Sequence, residues 1–151
     1  NFLSAIVTRT GQIYCDPEHT DSHSHLISAF GLKEGANCEN FVRVELTPGL
    51  DITDISSYNF KIDEPMRPDW FDEELKFTVI DDLSVRIRRM ILRDNKPCLL
   101  GGCWILVGDI TVETIVSARI FAMLGSSTVQ NMRNSSTVQN MWDSSTVQNR
   151  Q

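Results

Sequence analysis

An α+β head followed by a short β-solenoid is the fold class this sequence predicts, and three observations carry it. The last 26 residues read SSTVQNMRN, SSTVQNMWD and SSTVQNRQ, units of nine opened by Ser126, Ser135 and Ser144. Two earlier segments, FVRVELT and YNFKID, alternate apolar and polar residues. Between Asp69 and Arg93 the apolar residues recur instead at steps of three and four. A fixed period of nine marks a solenoid, strict alternation marks strands and the longer step marks a helix.

From the N-terminus, FLSAIVT and IYC flank Arg9–Gln12, and Gly11 offers the turn of a hairpin. A polar run, DPEHTDSHSH, then leads into LISAF, a short helix with Asp21 or Ser22 as its N-cap and Gly31 as its stop. In FVRVELT, Val42, Val44 and Leu46 fall on one side and Arg43 and Glu45 on the other, which predicts a half-buried strand. Pro48 and Gly49 end it, and Tyr58, Phe60 and Ile62 alternate in the next strand. Asp69 opens one long helix, with Glu73 and Glu74 at its start and Arg86, Arg88, Arg89 and Arg93 at its end, as the macrodipole favours. Its face Leu75, Val79, Leu83, Ile87, Met90 and Ile91 packs on the strands. CLLGGCWILV, past Pro97, is a buried strand or the first coil. We place the head at residues 1–98 and the solenoid at residues 99–151.

Ser, Thr, Val and Asn disfavour a helix in the tail, while Val and Thr suit strands. STVQN is expected as a strand with Val buried, followed by a corner and an inward Met. Nine residues form either one side of a flattened 18-residue coil or a tight coil by themselves. SARIFAMLG fits the same frame, whereas Val112 precedes Ile120 by eight positions, one short. The array stops mid-unit at Asn149, Arg150 and Gln151. An uncapped final coil exposes an apolar column and a strand edge. A second copy stacked about a two-fold axis closes such an edge, so a homodimer through Val138, Met141, Trp142 and Val147 is expected.

No stretch approaches the roughly 18 apolar residues of a membrane span, and NFLSAIVTRTG lacks the marks of an export signal. The four cysteines are therefore expected as reduced thiols. Residues 1–125 hold 12 basic and 19 acidic residues, a net −7, against +1 in the tail. Such a body argues against nucleic acid as a partner and suits a basic protein.

Three groups of residues are chemically informative. Cys15, His19, His23 and His25 lie within eleven residues and include every histidine of the chain. They form either a solvated loop or a zinc site, since His and Cys are the ligands zinc prefers. Cys15 with a histidine base is also the one arrangement that suggests a thiol nucleophile, and no complete catalytic motif is present, so no catalytic residue is assigned. Arg86, Arg89 and Arg93 form a basic stripe, and Asp69, Asp72 and Glu73 belong to an acidic cluster. Both are partner-binding candidates as well as ordinary solvated charge.

TGQIYC, HTDSHSHLI, DEPMRPDW and the STVQN tail together resemble uncharacterised small proteins of bacteria and their phages, built from a compact α/β head and degenerate nonapeptide repeats of the STVQN or SATV kind. That resemblance implies residence in the bacterial cytoplasm and a small acidic inhibitor of a host defence protein, as anti-CRISPR proteins are. The functional expectation is thus a non-enzymatic binding module. A metal-dependent or thiol hydrolase using the Cys15–His25 segment and a structural accessory protein of a phage particle are the alternatives.

Overall fold

A computed structural model describes residues 2–151, and the chain divides into two compact units, one ending at Arg88 and the other spanning Arg89–Gln151.

The first unit is an α+β head. Its four-stranded antiparallel sheet runs in the order β2-β1-β3-β4, from β1 (Leu3–Thr8), β2 (Ile13–Tyr14), β3 (Phe41–Thr47) and β4 (Asn59–Ile62). The hairpin turn between β1 and β2 passes through Gly11 at φ +87°, a value that glycine adopts without strain. Helix α1 (His23–Ala29) is capped by Ser22, whose side chain accepts from the His25 amide, and Gly31 leaves it at φ +63°. Leu26 of α1 packs on Ile6 and Phe41, so the helix covers one face of the sheet. This corrects the half-buried reading of β3: Phe41 and Glu45, on the face expected in solvent, are both buried.

Helix α2 runs Glu73–Met90 rather than from Asp69, because the chain first makes a turn in which the Phe71 amide donates to the Pro68 carbonyl. Asp72 caps it, accepting from the Leu75 amide at 2.8 Å. Its stripe Val79, Leu83 and Ile87 is fully buried, as the three- and four-residue spacing requires.

The second unit is a β-solenoid of about four turns. One parallel sheet stacks β6 (Lys96–Leu100), β8 (Thr111–Val116), β10 (Thr128–Arg133) and β12 (Thr146–Arg150). The other stacks β5 (Ile91–Leu92), β7 (Cys103–Leu106), β9 (Arg119–Met123) and β11 (Thr137–Met141). A nine-residue unit is therefore one side of a flattened coil. Thr128 pairs with Thr146 and Thr137 with Arg119, each 18 residues apart. One coil inward, Thr128 pairs with Thr111, 17 apart. The missing residue is the slip visible between Val112 and Ile120. The solenoid also takes in Ile91–Leu92 and Lys96–Cys98, which the boundary at residue 98 assigns to the head.

Every strand from β6 to β11 is followed by a residue in the left-handed region: Gly101, Gly108, Ser117, Gly125, Asn134 and Asp143. Gly, Asn and Asp are the residues for which that conformation costs least, which explains the ninth place of each repeat. Between corners, Val129 and Met132 are both buried although three apart, as are Val112 and Ile115 and Ile120 and Met123. The strand thus bends at the two residues between them, and all six side chains share the solenoid core.

Substitutions at these positions test the fold. Gly125 sits at φ +65° and a Cβ on it would lie 3.0 Å from the Gly108 Cα, so Gly125→Ala should lower unfolding free energy by about 2 kcal/mol in urea titration. Ser127 is buried with an unpartnered hydroxyl one residue before the Thr128–Thr111 pair, which aligns it with Ile110. Ser127→Ala should raise stability by about 1 kcal/mol by removing an unmet desolvation cost.

Candidate functional site

The outermost coil, residues 135–151, differs from those beneath it. Its strands β11 and β12 lie at the edge of both sheets, each paired on one side only among the described residues. Val129 and Met132 are buried one half-coil earlier, but Val138 and Val147 are only partly buried against the core. Met141 and Trp142 are 40% and 44% exposed. Side chains on this coil continue ladders begun below: Thr146 Oγ1 lies 3.1 Å from Thr128 Oγ1, and Asn149 Nδ2 lies 3.4 Å from Asn131 Oδ1. Asn140 donates to the Phe121 carbonyl at 2.9 Å, and the Asp143 carboxylate accepts from the Gly125 amide at 2.9 Å.

In the head, Cys15, His19, His23 and His25 take four different partners. Cys15 Sγ lies 3.0 Å from a guanidinium nitrogen of Arg86. Burial pushes this thiol up, and Arg86 only partly offsets that. His19 Nδ1 is 3.0 Å from the Asp16 carboxylate, and His25 Nδ1 is 3.2 Å from the Thr20 hydroxyl. His23 alone turns to the sheet, with Nε2 2.9 Å from the Val44 carbonyl and Nδ1 3.5 Å from Asp63 Oδ2. Among the described residues, the group of metal-ligating side chains that comes together is His23, Glu45 and Asp63, with ligand atoms within 4.8 Å of one another. Sequence reasoning placed Glu45 on the polar side of its strand. Nothing local marks the trio, because α1, β3 and the end of β4 each supply one member.

A second cluster surrounds Cys38, which stands at φ +56° beside a groove of about 490 Å³ lined by Arg9, Met66, Arg67, Asp69 and Trp70. Its thiol donates to Glu64 Oε2 at 3.3 Å, and burial together with that bond pushes it up. Glu64 also accepts from the Arg43 side chain at 2.8 Å and from the Arg43 amide at 3.2 Å, while the same guanidinium bridges to Glu34. Burial alone would raise Glu64, but these bonds outweigh it and hold the carboxyl below its ordinary value. Thiols raised in this way remain protonated near neutral pH, the form that is a poor nucleophile.

The charged candidates are mostly engaged locally. Arg86 pairs with Asp82 at 2.7 Å, Asp72 caps α2, and Glu73 pairs with Arg67 at 2.9 Å. Arg89 is exposed on the last turn of α2, Asp69 is exposed at the groove, and Arg93 lies past β5, outside the helix. The helical stripe therefore stops at Arg89.

No family model, curated protein or solved structure matches this chain. No helix among the described residues is long and apolar enough to cross a membrane.

Two measurements check these environments. Because Cys98 is exposed while Cys15 and Cys38 are partly buried and raised, iodoacetamide at pH 8 should alkylate Cys98 at least about tenfold faster, read by mass spectrometry. A depressed carboxyl stabilises the fold above its unfolded value and loses that contribution as pH falls through the folded one. Glu64→Gln should therefore cost about 2 kcal/mol at pH 7, with the difference from wild type closing below about pH 4.

Proposed function

We propose that this chain is a non-enzymatic protein-binding module that self-associates through the outermost coil of its solenoid and presents an acidic head to a basic partner. The observation that carries this is the state of residues 135–151: two strand edges unpaired among the described residues, half-covered Val138 and Val147, and exposed Met141 and Trp142. A second copy would bring the same free edges and the same half-covered Val138 and Val147, so that a two-fold axis could pair them antiparallel. Two-fold stacking would extend both edges, cover the apolar column and close instead of polymerising. Charge supports the division of labour. The head to Arg88 carries 16 acidic and 8 basic residues, net −8, whereas residues 89–151 carry 4 acidic and 6 basic, net +2. The solenoid by itself thus lacks the net acidic charge that would make two copies repel.

The finer role, a phage-type inhibitor of a host defence protein in the bacterial cytoplasm, rests on the likeness of TGQIYC, HTDSHSHLI, DEPMRPDW and the STVQN units to such proteins. A basic, nucleic-acid-handling enzyme is the kind of target that an acidic head suits.

Light scattering coupled to size exclusion tests the assembly. The chain should elute with the mass of two copies, and Trp142→Glu, which places a charge on the stacking face, should raise the dimer dissociation constant at least about tenfold while leaving the strand signal in circular dichroism unchanged. A wild-type mass of one chain, or dimers indifferent to Trp142→Glu, would overturn the reading.

A further inference from the structure

The groove of about 490 Å³ beside Cys38 falls within the roughly 300–1,000 Å³ that small-ligand sites occupy. Two of its walls are loops, residues 37–39 and residues 65–70, and side chains tie one to the other. Trp70 Nε1 donates to the Cys38 carbonyl at 2.9 Å, and the Cys38 thiol reaches Glu64, which precedes Pro65. Within the second wall, Arg67 Nε donates to the Phe71 carbonyl at 2.7 Å, and the Trp70 ring meets the buried Phe71 ring edge-on at 6.1 Å. A site braced in this way is formed before a ligand arrives, so binding does not carry the cost of ordering it.

The lining combines apolar surface with charges left unmet. Met66 is 66% exposed, and with Pro65, Pro68 and Trp70 it supplies the apolar part. An indole has a single N–H, here already given to Cys38, so Trp70 offers ring carbon for contact. Arg9, Glu39 and Asp69 also line the groove, and among the described residues none of these three side chains has an ion pair or hydrogen bond. Arg67, the other cation of the lining, is spent on Glu73 at 2.9 Å. The free charges decide what the groove can take. An anion would meet Arg9 but face two carboxylates, and a cation would meet the carboxylates but face Arg9. A ligand with both signs on an apolar body answers every group. Its carboxylate suits the fork of a guanidinium, its ammonium group suits Asp69 and Glu39, and its hydrocarbon covers Met66 and Trp70.

We infer that the groove beside Cys38 binds an apolar zwitterion, a short peptide or the free amino acid, with Arg9 taking its carboxylate and Asp69 and Glu39 its ammonium group. Every residue of the lining belongs to the head, so binding there does not depend on self-association through the solenoid.

Isothermal titration calorimetry on the full chain tests this with leucyl-leucine, its N-acetylated and C-amidated forms, and free leucine. Leucyl-leucine should bind with a dissociation constant of about 1 mM or tighter, and masking either end should weaken it at least about tenfold. Met66→Asp, at an exposed side chain, should weaken it by a similar factor. Arg9→Gln should erase the difference between the free acid and its amide. Asp69→Asn combined with Glu39→Gln should erase the difference between the free and the acetylated amine. General damage to the fold would produce neither pattern, and circular dichroism checks that each variant folds. Free leucine binding as well as the dipeptide assigns the site to amino acids, and weaker binding of free leucine assigns it to peptides. Absence of binding by both zwitterions, or affinity indifferent to end masking and to Met66→Asp, would overturn the assignment.

Discussion

Pairing between residues 17 or 18 apart is the constraint on which the C-terminal half depends. A single coil of two five-residue strands has almost no interior, so each coil is stable only when its backbone and its Val and Met side chains meet those of a neighbour. Stacking requires every coil to close on itself with the same rise, and the corners decide whether it does. A residue in the left-handed region after each strand reverses the chain tightly, and Gly, Asn or Asp at that place keeps the reversal inexpensive. Ser117 is the exception at φ +50°, and it stands where the corner has lost a residue. The same dependence on neighbours explains why exposure concentrates at residues 138, 141, 142 and 147. These side chains are built like Val129 and Met132 but have a neighbour on one side only.

The head solves a different problem. Its central strand β3 is covered on both faces, yet carries Arg43 and Glu45. Burying charge is costly unless each charge is met. Arg43 is met by Glu64 and Glu34, the former through both its side chain and its backbone amide. Glu45 lies toward the other end of the same face, close to His23 and Asp63. Polar groups at such depth confer register, because a one-residue slip of β3 would exchange them with Val42 and Val44.

How much of this was legible follows from the range of the contacts. The solenoid was readable because its contacts join like residues at a constant offset, which leaves a period in the sequence. Ile91–Leu92 and Lys96–Leu100 escaped because Ile91 pairs with Ile105, 14 apart, and Lys96 with Val112, 16 apart, with no repeated residues to mark them. The alternation in FVRVELT located β3 correctly but cannot report that α1 folds back over its polar side. That contact joins Leu26 to Ile6 and Phe41, and no local pattern encodes it. For the same reason the histidine-rich segment drew attention as a unit, when only His23 points inward and its neighbours in space come from β3 and the end of β4.

Stacking also restricts where charge is allowed. Like charges directly opposite each other on paired strands repel, so a repeat that stacks on itself must keep its ladder positions neutral. Thr, Val, Gln and Asn fill them here, and the charges that remain fall beside different residues: Arg133 opposite Val116, Arg150 opposite Met132, and Asp143 against the Gly125 amide. A head assembled from unlike elements has no such rule and can gather its acids on loops and on the first turn of α2. Net charge is therefore concentrated in the head, whereas shape and backbone pairing order the solenoid. A substitution that adds like charge to a ladder position would damage the second without touching the first.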